Sequence, residues 1–265
     1  MPPGDPLFRP LVSAADYLAA VELQKLTWGR DSSEIAPLSI LKVAQKVGGV
    51  AAGAFSPDGQ MLGFVFGLTG VRDGKPLHWS HMLAVDPSAR DQGLGTRLKL
   101  FQRELLLPLG VDLVEWTFDP LEARNAHVNF NHLGAGVSAY VRDMYEGETG
   151  SDLARGIGTD RLIVAWRITS RRVLDAIAGR RPDAAPYREA PIVNPGAGDG
   201  ELPDAATVRI ETPANIQEVK EADPAQGAAW RAATRRAFEQ SFAAGYQVDV
   251  FYRDQGRTFY GLKRT

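Results

Sequence analysis

The chain has 265 residues, enough for one large domain or two smaller ones at about 150 residues per domain. With 44% hydrophobic and 23% charged residues it has the composition of a folded globular protein, which excludes a wholly disordered or fibrous chain. Thirty basic residues against 32 acidic ones leave a net charge of −2, without the basic excess of a dedicated nucleic-acid binder, and the absence of cysteine excludes disulfides, thiolate metal sites and cysteine nucleophiles. The run Met1-Pro2-Pro3-Gly4-Asp5-Pro6 has neither the basic nor the apolar region of a secretory signal. No stretch approaches the roughly 20 apolar residues of a membrane-spanning helix. The expected setting is the cytoplasm, away from membranes.

Helices and strands alternate through the first 170 residues. An extended segment is predicted at 8–12, then a helix capped by Ser13 and running to about Trp28, then a second helix at 37–47. Strands follow at 50–55 and 61–71, separated by the turn Ser56-Pro57-Asp58-Gly59. A third, at 77–85, alternates so that Leu77, Trp79, His81, Leu83 and Val85 share one face and His78, Ser80, Met82 and Ala84 the other. Helical spacing of Leu94, Leu98, Phe101 and Leu105 marks a helix at 95–107. After it come a strand at 111–118, a helix at 121–133 closed by Gly134, and strands at 137–145 and 161–168.

Residues 179–206 are rich in proline and glycine and read as a linker between a domain at 1–178 and an extension at 207–265. The extension reads as a β-α-β-β unit, its helix interrupted at Pro224 and its hairpin turning at Asp254-Gln255-Gly256-Arg257. About 60 residues are marginal for independent stability, so this unit is expected to pack on the first domain or on a partner subunit.

The chemistry concentrates in Leu83-Ala84-Val85-Asp86-Pro87-Ser88-Ala89-Arg90-Asp91-Gln92-Gly93-Leu94-Gly95-Thr96. A buried strand runs into a polar loop that opens a helix. Gly93 and Gly95 remove side chains where the backbone would approach a ligand. The first turn of a helix offers unpaired N–H groups and partial positive charge, which together favour an anion. One such contact is worth only about 0.3–1 kcal/mol, so tight binding needs several amides converging on a diphosphate, with Arg90 adding charge. No Lys-Ser or Lys-Thr follows the second glycine, so the loop is not a P-loop, and the dinucleotide G-x-G-x-x-G spacing is absent.

Arg90-x-x-Gly93-x-Gly95, placed after the strand Leu83-Ala84-Val85-Asp86-Pro87, resembles the R/Q-x-x-G-x-G/A signature of the GCN5-related N-acetyltransferase (GNAT) superfamily. The run ending His132-Leu133-Gly134-Ala135 resembles the superfamily's second motif. Ser80 to Val85, Trp116 to Leu121 and Arg124-Asn125-Ala126 resemble a bacterial branch that also carries a C-terminal extension. The likeness covers roughly residues 7–169.

The resemblance implies an α/β GNAT fold whose mixed central sheet splays in a V between the fourth and fifth strands. It implies a co-substrate, acetyl-CoA or another acyl-CoA. Pantetheine would lie in the V against backbone groups of Leu83 and Val85, and the diphosphate on Arg90, Gln92, Gly93, Leu94, Gly95 and Thr96. Asn125 and Phe130 would line the same cofactor. The acceptor would be the amine of a small molecule, such as an amino acid, attacking the thioester directly; a protein amine, or a coenzyme-binding module without turnover, are the alternatives. Such domains often form homodimers. Neither a metal nor a nucleic acid is implied.

Direct attack needs a neutral amine, hence a base. His81 is the first candidate, with a structural histidine as the alternative reading. Glu115, a carboxylate in a strand otherwise built for burial, is the second, with an ion pair to an arginine as its alternative. Arg124 would hold a carboxylate on the acceptor or on a succinyl-like donor. Many members place a tyrosine four residues before the second-motif glycine to protonate the leaving thiolate; here that position is Phe130, so the thiolate leaves unassisted or with help from Asn129, Asn131, Tyr140 or Tyr145. The histidines do not suggest a metal: His78 and His81 are expected on opposite faces of a strand, and His127 and His132 are five apart where four would be wanted.

Overall fold

Ser13 starts the first helix as its sequence predicts. Its hydroxyl accepts the Asp16 amide at 3.1 Å, and the Asp16 carboxylate accepts the Ser13 amide at 3.1 Å, a reciprocal cap that opens α1 (Ala14–Trp28). Asp16 also takes both guanidinium nitrogens of Arg9, at 2.7 and 2.9 Å, which holds its carboxyl well below the usual range. The structure is a computed structural model that describes residues 5–30, 32–146, 155–198 and 200–265. These residues divide into two compact units, one reaching to Trp116 and the other beginning at Thr117.

The first unit contains β1 (Leu7–Pro10), α1, α2 (Leu38–Lys46), β2 (Val50–Phe55), β3 (Met61–Arg72), β4 (Lys75–Val85), α3 (Leu94–Leu106) and β5 (Leu113–Phe118), the last of which runs on into the second unit. Its strands lie in the order β1-β2-β3-β4-β5, antiparallel as far as β4 and parallel between β4 and β5. Tyr17, Leu23 and Leu41 of α1 and α2 pack on Phe64, Phe66, Met82 and Ala84 of β3 and β4 to form a core. No helix among the described residues is long and apolar enough to cross a membrane.

A bulge in β4 corrects one expectation. Phe66 pairs with Met82 but Leu68 pairs with Trp79, so two steps on β3 span three on β4, around Ser80 and His81. The extra residue breaks the predicted alternation. Met82 and Ala84 belong to the core under α1 and α2, and His81 sets its ring edge-on to Phe66 of that core, centroids 6.0 Å apart. Leu83 and Val85 instead face the start of α3, 3.6 and 4.0 Å from where a Cβ on Gly95 would stand, and Ser80 and His78 bond to Lys99 and Gln102 of α3. His81 therefore does not share a face with Leu83.

The second unit begins with α4 (Ala123–His127), which continues as a π-helical turn, Val128–His132, and ends at Gly134. Gly134 has φ of 64°, and a Cβ there would stand 2.6 Å from the Arg172 carbonyl, so glycine is required. β6 (Gly136–Val141) and β7 (Arg161–Arg167) pair antiparallel. α5 (Arg171–Ile177), capped by Ser170, escaped the sequence reading. The extension contributes β8 (Thr207–Thr212), α7 (Ile216–Ala222), α8 (Pro224–Ala243), β9 (Tyr246–Asp254) and β10 (Arg257–Arg264), with the sheet order β8-β10-β9. Among the described residues of 179–206, four side chains are anchored. Tyr187, on the short α6 (Ala185–Arg188), Ala190, Val193 and Asn194 are buried, and Asn194 exchanges two hydrogen bonds with the Glu211 backbone, at 2.9 and 2.8 Å. Proline and glycine stop long regular elements here, but these side chains still fix the path.

Candidate functional site

In the first unit the parallel ladder joins Leu77, His78 and Trp79 to Leu113, Val114 and Glu115 and stops there, whereas β4 continues to Val85. Residues 80–85 thus extend past the ladder that β5 provides, with β3 still paired on their other edge. The bulge sits where the ladder ends, and its added twist is a local reason for the divergence.

Beyond Val85 the chain makes a 3₁₀ turn, Pro87–Ala89, with the Asp86 carboxylate accepting the Ser88 amide at 2.9 Å. Ala89 and Leu94 are buried and anchor the two ends of the loop. Between them Asp91 (φ 65°) and Gly93 (φ 72°) adopt left-handed conformations on either side of Gln92, which curls the backbone. Such curls turn successive N–H groups toward one point. α3 starts at Leu94 without any side-chain cap, and its first intrahelical bond runs from the Arg97 amide to the Gly93 carbonyl at 3.1 Å. The amides of Leu94, Gly95 and Thr96 lie in that uncapped first turn. A Cβ added to Gly93 would meet nothing within 4 Å, and one on Gly95 would meet only ordinary contacts, so packing does not demand glycine at either place. Arg90 turns back, its Nε donating to the Val85 carbonyl at 3.4 Å.

His81 lies beside this strand edge with its side chain exposed. Crowding by the surrounding protein lowers its pKa below the usual 6.5, and the Glu34 carboxylate, from the segment between α1 and α2, opposes that shift. Glu115 follows its alternative reading: it is 5% exposed, and its two oxygens receive Arg72 nitrogens at 2.8 and 2.9 Å. To act as a base it would first have to surrender that bidentate pair. Leu83 and Val85 are half-buried and, with Gln92 to Thr96 and His81, belong to the first unit.

The remaining candidates belong to the second unit. Arg124 and Asn125 are exposed on α4. Phe130 is fully buried, its ring packed edge-on against Phe118 and Tyr260 at 6.2 and 5.8 Å. The expectation that it packs on pantetheine is therefore not met, because an aromatic from the extension occupies its surface. Of the proposed proton donors, Tyr140 donates to Asp160, and burial first and that bond second raise its pKa; Tyr145 bonds to Thr117 at 3.1 Å; Asn131 donates to the Phe251 carbonyl at 2.9 Å. The Asn129 amide nitrogen is buried without a partner.

His127 and His132 do meet. In a π turn residues five apart stack, and the rings lie 5.0 Å apart with their Nε2 atoms at 3.3 Å. Their Nδ1 atoms face the Asn131 amide nitrogen at 2.8 Å and the Arg181 guanidinium at 3.1 Å, so the pair is held within the second unit by its own neighbours. No cluster of three or more ligating side chains occurs among the described residues.

Neither protein-family models nor curated proteins match the sequence. Solved structures do. A chain of the NatC complex bound to Gag peptide and CoA aligns over 62% of this chain and 99% of its own at 11% identity, with a TM-score of 0.50. The ribosomal-protein-S18-alanine N-acetyltransferase from Escherichia coli aligns over 62% and 95% at 19% identity, TM-score 0.48, and an aminoglycoside 6'-acetyltransferase type Ii over 62% and 99% at 18%, TM-score 0.48. With the strand order, the parallel β4–β5 pair that parts after Trp79, and the glycine turn into α3, the first of these matches shows that the chain has the fold of the GCN5-related N-acetyltransferases.

Proposed function

We propose that the protein is an acyl-CoA-dependent N-acyltransferase that moves an acetyl or similar acyl group to the amine of a small molecule, such as an amino acid. The observation that carries this reading is the pairing, within one unit, of an unladdered β4 edge from 80 to 85 with the uncapped amide turn that follows it. A peptide-like arm would add along β4 as a strand does, offering its amides to the free backbone. Its diphosphate would take the amides of 94–96. The turn therefore sets the position of the thioester along β4.

His81 is the base in this reading. An acceptor amine of pKa about 10.4 costs about 4.6 kcal/mol to deprotonate at pH 7, and an α-amine near 8 about 1.4 kcal/mol. A neutral imidazole beside the strand edge takes that proton, directly or through water. The amine then attacks the thioester carbon and the C–S bond breaks. Glu115 stays paired with Arg72 and keeps the end of the ladder in place.

The loss of a hydroxyl at Phe130 and its burial against Tyr260 favour a second reading, a coenzyme-binding module without turnover. Free-thiol release measured over a panel of acyl-CoA donors and small amines separates the two. Thiol released with some amine supports the transferase; tight CoA binding with no release under any pairing supports the module. Absence of CoA binding removes both.

A further inference from the structure

The first unit buries an amine that this reading leaves unused. Lys99 of α3 is 6% exposed; its Nζ donates to Ser80 Oγ at 2.7 Å and lies 3.7 Å from the centroid of the Trp116 ring. Hydrogen bonds then run one way. Ser80 Oγ donates to Gln102 Oε1 at 2.9 Å, and Gln102 Nε2 donates to His78 Nε2 at 3.0 Å. That leaves the His78 proton on Nδ1, which donates to Thr69 Oγ1 at 2.9 Å, and Thr69 donates to the Gly48 carbonyl at 2.6 Å. The chain of donors fixes the Ser80 hydroxyl so that it presents a lone pair to Lys99.

The place of this amine in the sheet is specific. Trp79 and Glu115 are the last paired residues of β4 and β5, and Ser80 and Trp116 are the next on each strand. Lys99 touches both, so its amine stands where the strands part. Ser80 lies five residues before Val85, about 17 Å at roughly 3.3 Å per residue. A thioester arm laid along β4 from the phosphate turn, as the acyl-transfer reading has it, would run toward that point. The charged and titratable neighbours do not neutralise an ammonium here: His78 on β4 is pushed down to about 3 by burial, and Glu115 on β5 is held by Arg72. Burial likewise pushes the Lys99 amine well below its usual range.

We propose that Lys99 carries a proton from the acceptor nitrogen to the departing sulfur, a role that rests on the acyl-transfer reading above. In the tetrahedral adduct the attacking nitrogen holds an extra proton and the sulfur is bound to the same carbon. The Nζ lone pair takes the proton from nitrogen, and an Nζ–H proton passes to sulfur as the C–S bond breaks. The products are an amide and a free thiol, and Lys99 ends in the protonation state in which it began. The Trp116 face stabilises the ammonium while it exists. The device supplies what Phe130 and the engaged Tyr140 do not.

The experiment uses the full chain, with acetyl-CoA as donor and an amine found active in the thiol-release panel. Lys99→Met keeps the side-chain length and removes the titratable nitrogen. The expected result is a fall of at least tenfold in kcat, with KM for acetyl-CoA and the affinity for CoA changed less than threefold, and no recovery with Lys99→Arg. Should Lys99→Met fail to fold, Ser80→Ala takes its place, leaving the amine without its acceptor; a fall of threefold or more in kcat at constant KM is expected. A kcat within twofold of the parent in whichever variant folds overturns the proposal while thiol release by the parent leaves the acyl-transfer reading standing. A parent chain that binds no CoA overturns both, and CoA binding itself reports which has failed.

Discussion

Two turns that follow strands, one in each unit, treat their backbone in opposite ways. After β4, the amides of 94–96 meet no side-chain cap, and Asp91 and Gly93 before them are left-handed. After β5, every residue from Asp119 to Glu122 is held by the extension. Arg231 bonds Asp119, Tyr260 donates to the Pro120 carbonyl at 2.7 Å, Leu121 packs with Ile216 and Trp230, and Gln217 donates to Glu122 at 2.6 Å. A turn saturated by its own chain is structural. A turn without such a cap is the one on which the proposed coenzyme site rests. The extension is therefore an integral wall of the second unit, and its helix α8 supplies the buried arginine.

The largest effect expected from breaking this contrast lies at the saturated turn. Arg231→Ala removes the buried guanidinium bonded to Asp119, 11% exposed, and leaves it only Arg161 at 3.7 Å; the cost should lie toward the lower end of about 3–5 kcal/mol of stability, read as a lowered unfolding midpoint in denaturant. A loss under about 1 kcal/mol would show that α8 does not secure this turn.

At the open turn, Gly93→Glu projects a carboxylate into free space where the diphosphate would lie. CoA affinity should fall at least a hundredfold, about 2.7 kcal/mol, measured by titration calorimetry. The left-handed backbone adds a folding cost of only about 1–2 kcal/mol. Unchanged affinity would remove the turn from the site.

A smaller effect is expected at His81. Its pKa is lowered, so the ring is neutral and able to accept a proton at pH 7, and the rate should fall as pH drops through a value below 6.5. His81→Ala should lower kcat/KM at least tenfold and erase that acid limb; a variant keeping both the rate and the limb would return His81 to a structural role.

The smallest is Tyr260→Phe, which strips one hydrogen bond from the buried Pro120 carbonyl while keeping the ring on Phe130. The expected loss is about 1–1.5 kcal/mol in the unfolding midpoint, with CoA affinity unchanged. A change in affinity without a change in stability would mean that the second turn reports on the ligand after all.

Local signals were largely legible, the Ser170 cap of α5 being the exception. Ser13, the Ser56–Gly59 turn, the break at Pro224 and the hairpin at 254–257 all stand where the sequence puts them, because caps, turns and prolines act over a few bonds. The glycine turn was legible for the same reason: it is a run of adjacent residues whose chemistry is in the backbone. Strand alternation failed at one residue, because a bulge is a property of two paired strands and β4 alone does not announce it. The pairing of His127 with His132 was missed because spacing was judged on an α-helix and the chain makes a π turn.

The sequence by itself determined most of the elements, α5 and α6 excepted, their order and the glycine turn after Val85, since each depends on neighbours in the chain. Only the tertiary structure decided that Arg72 takes Glu115, 43 positions away, that Tyr260 seals Phe130, and that Lys99 stands where β4 and β5 part. Those pairings follow from which surfaces the folded backbone presses together, and no local rule of spacing contains them.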